Sequence, residues 1–75
     1  MIILVDTVLM YYNIELDRWI KTDHDTWSFQ YENGKLVLQS NNVQFDAPTL
    51  EDALNRIKGY FNNTSYRIVD IRRGI

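Results

Sequence analysis

Asn33-Gly34 constrains this chain more than any other pair of residues. Both residues tolerate the positive φ that a type I′ turn demands, so the segments on either side are expected to close into a two-residue hairpin. Before the turn, Trp27, Phe29 and Tyr31 alternate with Ser28, Gln30 and Glu32. That period of two marks a half-buried strand. A two-residue loop sets Glu32 opposite Lys35, Tyr31 opposite Leu36 and Phe29 opposite Leu38. Turn chemistry and apolar pattern therefore agree on one register, with opposite charges flanking the turn.

Asn41-Asn42 is expected to form a second tight turn, placing Ser40 against Val43 and Leu38 against Phe45. One face of the resulting sheet then carries Trp27, Phe29, Tyr31, Leu36, Leu38, Val43 and Phe45. The other is polar except for Val37. A sheet of this kind is antiparallel and covered on one side.

The cover follows in sequence. Asp46-Ala47-Pro48 breaks the strand, and Thr49 is a good N-cap with Asp52 in the capping-box position. From there Leu50, Ala53, Leu54, Ile57, Tyr60 and Phe61 fall within an arc of about 120° on a helical wheel. Asp52 and Arg56 stand at i,i+4, where they favour an ion pair. Asn62-Asn63 ends the helix. Tyr66 to Arg72 is a short final strand flanked by bases, suited to a sheet edge.

At the beginning of the chain, the even positions from Ile2 to Leu16 are apolar except for Asp6. This favours one long strand, or two bent near Asp6-Thr7, over a helix, as does the content of Ile, Val and Tyr. A strand is expected to end over Asp17–Ile20, with Lys21-Thr22-Asp23-His24-Asp25 as a loop into Trp27. The fold class that emerges is α+β: an antiparallel β-meander of four to five strands with one amphipathic helix packed on one face, inserted before the last strand. Seventy-five residues make one domain, residues 1–75.

Such a chain has little core to share out, and it contains no cysteine to staple it. Its ten aromatic residues are expected to supply the packing. No apolar run approaches the ~20 residues of a membrane span, and no secretory leader pattern is present. Together these features place the chain in the cytoplasm, away from membranes.

Charge is uneven. Up to Asn55, three basic residues oppose nine acidic ones; from Arg56 onward, Arg56, Lys58, Arg67, Arg72 and Arg73 face Asp70 alone. Asp23-His24-Asp25 is the one cluster with the makings of a catalytic or metal site. It lacks a second histidine, a thiolate or a marked nucleophile, so it is expected to be a solvated turn. No glycine-rich phosphate loop is present. We therefore expect no enzyme, no cofactor and no metal.

Two binding classes remain. Protein interaction is favoured, because both faces of the N-terminal strand are apolar and a lone helix covers only one. A second copy of the chain is expected on the other, with Ile3, Val5 and Leu9 at a dimer interface. Tyr11, Trp19, Arg67, Arg72 and Arg73 are the candidate partner-binding residues. By size and lack of chemistry the chain fits a small inhibitor or adaptor of the kind mobile elements encode. The alternative is nucleic-acid binding through the basic C-terminal strand and exposed aromatics, against which the net charge of −2 argues.

Overall fold

The Asn33-Gly34 turn forms as its chemistry demands, with φ of 51° and 74° at the two residues. A computed structural model, which describes residues 1–74, builds the rest of the architecture around it. Five strands and one helix follow in the order β1 (Ile2–Asn13), β2 (Arg18–Glu32), β3 (Lys35–Leu38), β4 (Val43–Asp46), α1 (Leu50–Asn62) and β5 (Tyr66–Arg73). The strands make one antiparallel sheet in the order β4-β3-β2-β1-β5. This is the expected α+β meander, with the helix inserted before the last strand and β5 at the edge.

The hairpin register is the expected one: Glu32 opposes Lys35, Tyr31 opposes Leu36 and Phe29 opposes Leu38. Lys35, however, forms its ion pair with Asp46 of β4 rather than with Glu32. The next connection differs from expectation. Leu38 pairs with Val43 and Leu36 with Phe45, so the loop spans four residues, not two. Asn42 alone takes a left-handed φ, 58°, and the Asn41 side chain accepts from the Val43 amide at 3.1 Å. One left-handed residue cannot build a type I′ turn, which needs two in succession. The shift is two residues, an even number, so every side chain keeps its expected face.

Helix α1 packs on the face carrying Ile3, Val5, Phe29, Leu36 and Leu38, and contributes Ala53, Ile57 and Phe61 to the core. Its start is fixed by the full capping box: Thr49 Oγ1 accepts from the Asp52 amide, and the Asp52 carboxylate accepts from the Thr49 amide. With Asp52 so engaged, Arg56 turns away from the expected i,i+4 partner and donates to the Asp46 carbonyl at 3.3 Å. Phe61 ties the helix end to the sheet through edge-on contacts with Trp27 at 5.2 Å and Phe29 at 6.4 Å. Full burial of an aromatic or branched aliphatic side chain is worth about 1.5–3 kcal/mol. This cluster is thus the main source of stability.

Three expectations about the first strands need correction. Asp17–Ile20, expected to end a strand, instead closes a turn after Asn13 and opens β2 at Arg18. Ile3 and Val5, expected at a dimer interface, are buried beneath the helix. They share the helix-side face because Ile3 pairs with Phe29 and Val5 with Trp27. The segment Lys21–Asp25, expected to be a loop, is the middle of β2. Its partner β1 runs on past the body of the sheet as a single long strand, and the backbone ladder continues with it.

Candidate protein-docking arm

The shape of the molecule follows from those two long strands. It measures 48 × 22 × 21 Å, and its radius of gyration of 13.9 Å exceeds the roughly 11 Å of a compact chain this long. Strand β5 accompanies β1 only from Ile3 to Leu9, and β3 accompanies β2 only from Phe29 to Glu32. Beyond a last hydrogen bond from the Met10 amide to the Ser65 carbonyl, β1 and β2 continue alone. They form a two-stranded arm of Met10–Asn13 against Arg18–Lys21, closed by the turn Ile14–Asp17. At its root the pairing skips from Val8↔His24 to Met10↔Lys21, a bulge with the extra residue in β2. Bulges of this kind bend a strand and re-aim what lies beyond.

The tip is held by its own side chains. Asn13 Oδ1 accepts from the Leu16 amide at 3.0 Å, and the Ile14 carbonyl accepts from the Asp17 amide at 3.3 Å. Asp17 takes the left-handed conformation, φ 52°, that brings the chain round into β2. The Tyr12 hydroxyl donates to the Asp17 carboxylate. Tyr12 also lies opposite Trp19 and meets it edge-on, the ring centroids 5.6 Å apart. An aromatic cross-strand pair adds up to about 1 kcal/mol to such a hairpin.

What the arm displays is apolar. Ile14 is 86% exposed, Trp19 61%, Leu16 54%, and Tyr11 and Tyr12 are nearly half exposed. These five are most of the large apolar side chains that stand exposed among the described residues; the others are Leu50 and Val69. Strand alternation divides them: Tyr12 and Trp19 share one face with Met10 and Lys21, while Tyr11 and Ile20 share the other. Arg67 of β5 reaches the Tyr12–Trp19 face at its root, where it lines a shallow hollow with Met10, Trp19 and Lys21.

The candidate residues are thus divided. Tyr11 and Trp19 are on the arm, with Arg67 at its base. Arg72 and Arg73 lie at the far end of β5, and Arg72 is committed to Asp6 through bonds of 2.8 and 3.1 Å. Leu9 is half-buried at the root, paired with Tyr66. Asp23, His24 and Asp25 are exposed strand residues, His24 on the opposite face from Asp25. Among the described residues no group of three or more His, Cys, Asp or Glu side chains is gathered as a metal site would need. Ile14 and Leu16, which the even-position pattern assigns to the first strand, lie instead in the turn after Asn13. Their signal is two bare aliphatic residues between turn formers Asn13 and Asp17.

Among the described residues no helix is long and apolar enough to cross a membrane. The chain matches no protein-family model, no curated protein and no solved structure, so the arm and its geometry are what bear on function.

Proposed function

We propose that the protein is a non-catalytic interaction module, a small cytoplasmic inhibitor or adaptor, that binds a partner protein by inserting its β-hairpin arm. The observation that carries this reading is the row of exposed Tyr11, Tyr12, Ile14, Leu16 and Trp19 on an arm outside the core. Exposed apolar side chains gathered on one projecting element mark contact surfaces, and Trp and Tyr anchor such contacts most strongly. The bonds within the tip support it further, because an arm ordered in advance loses little entropy on binding.

A protein partner fits better than a nucleic acid. At the tip itself Glu15 and Asp17 alternate with Ile14 and Leu16 and repel phosphates, while Arg18, Lys21 and Arg67 stand behind them. Two of the three arginines of β5, Arg72 and Arg73, sit at the other end of the strand, and Arg72 is paired with Asp6.

The test compares the parent chain with a Tyr12→Ala/Trp19→Ala variant. Each is immobilised, exposed to nuclease-treated lysate of the source cell, and the captured proteins are identified by mass spectrometry. A stoichiometric protein held by the parent and lost by the variant is the expected result. Equal capture by both sinks the role of the arm. Saturable, salt-sensitive binding of oligonucleotides by the parent moves the reading to nucleic acid.

A further inference from the structure

The end of the sheet opposite the arm holds a groove between α1 and β5, with a volume of about 350 Å3. Met1, Ile3, Leu50, Leu54 and Ile71 give it an apolar lining, to which Lys58, Arg72 and Arg73 add three cationic side chains. Leu50 is 45% exposed there, unusual for a residue on the apolar side of an amphipathic helix. Neither Lys58 nor Arg73 has an acidic partner among the described residues. An occupant suited to this groove combines apolar side chains with carboxylates.

The chain itself carries such a segment. The arm tip reads Ile14-Glu15-Leu16-Asp17, two exposed aliphatic residues alternating with two carboxylates. We propose that the tip of one copy seats in the groove of a second, reciprocally, to form a closed dimer. This rests on the arm being the contact element of the module, with the tip turn engaging the second copy and the Tyr12–Trp19 face left to the partner protein. It also moves the expected interface away from Ile3 and Val5, which are buried within one chain, to the exposed tip and the groove above them.

The placement of the two parts favours closure. The groove lies where Ile3 pairs with Arg73, and the tip begins at Asn13. At about 3.3 Å per residue, β1 separates them by roughly 33 Å. Two chains lying side by side and antiparallel bring each tip beside the other's groove at once. A two-fold axis across the long dimension then satisfies both contacts with no open end.

The absence of cysteine makes the test direct. Leu16→Cys and Leu50→Cys are introduced in separate chains, both at exposed positions. Mixed and mildly oxidised, the two should give a disulfide-linked two-chain product that neither gives alone. Light scattering of the parent should show twice the 9.0 kDa chain mass at high micromolar concentration. Glu15→Lys or Lys58→Glu alone should weaken association about tenfold, and the two in one chain should restore it.

A parent that stays monomeric overturns the pairing, as does a dimer in which the mixed cysteines fail to link. Linking of Leu16→Cys to itself overturns it too, because the tips then meet each other. In each of these cases the arm as a contact for another protein is judged separately, by the capture experiment with Tyr12→Ala/Trp19→Ala.

Discussion

Trp27 of β2 donates its indole N–H to the hydroxyl of Thr7 on β1, at 2.8 Å. Thr7 is the one fully buried polar side chain among the described residues. The same indole meets Phe61 and Tyr66 edge-on, both at 5.2 Å. A single ring thus joins the long hairpin, the helix end and the start of β5. Thr7→Val keeps the shape and removes the acceptor, leaving the indole N–H without a partner. The expected loss is about 1–2 kcal/mol. Urea unfolding should show it as a lower midpoint with an unchanged slope.

The Asp6–Arg72 pair predicts a response to acid. Bonding to the Arg72 guanidinium, and then to the Thr26 hydroxyl at 2.7 Å, lowers Asp6 from 3.8 to about 2. A carboxyl whose folded value lies below its unfolded value stabilises the fold fully above the unfolded value, and that stabilisation is lost as pH falls through the folded one. The melting temperature of the parent should therefore decline between pH 3.8 and about 2 more steeply than that of Asp6→Asn. The gap between the two should close below pH 2. The pair is solvent-exposed, so the gap should be small and should shrink in salt.

Two glycines should respond in opposite directions to the same substitution. Gly59 lies in α1 with nothing near an added Cβ, so Gly59→Ala should stabilise by roughly 1 kcal/mol. Gly34 holds φ 74° in the hairpin turn, where a Cβ is strained, and Gly34→Ala should cost about 1–2 kcal/mol. In a domain this small each kcal/mol moves the melting temperature by about 4–8 °C, which calorimetry resolves easily.

The arm should be separable from the body in both dynamics and energy. A two-stranded ribbon with no third strand is marginal by itself. Amides of Met10–Asn13 and Arg18–Lys21 should therefore exchange with deuterium well before those of Ile3–Val5 and Phe29. Trp19→Ala should lower global stability by less than about 1 kcal/mol, because it removes an exposed edge-on contact and no core. A large loss would mean that the arm belongs to the folding unit.

The body of this fold is legible in the sequence because two periods coincide there. Trp27, Phe29 and Tyr31 alternate up to a turn with one chemistry, and Leu50 to Phe61 repeat at the helical spacing. Amphipathic faces exist only where one side is buried, and in the body one side is. Lys21 to Asp25 runs through the bulge at the root of the arm with most of its side chains exposed, so it shows no apolar period and looks like a loop. Its strand character comes from the backbone of β1 alongside, which no local pattern reveals. Ile3 and Val5 mislead for a related reason. Apolar residues on both faces of a strand show that cover is needed, but not which face the helix takes. That choice is made by the pairing of β1 with β2, which sets Ile3 opposite Phe29 and Val5 opposite Trp27, and the exposed role of Ile14 and Leu16 follows from the extension of that pair beyond β5.

Strand β1 lies between β2 and β5, and Ile3 is bonded in register with Arg73. Strand β1 thus waits for the sequence-distant β5 before its outer edge is closed. Contacts between such remote parts of a chain slow folding, because the loop between them must be gathered first. A nascent chain lacking β5 exposes the free rim of β1, the kind of surface that recruits foreign strands. Docking of β5 is then the step that closes this rim of the long hairpin.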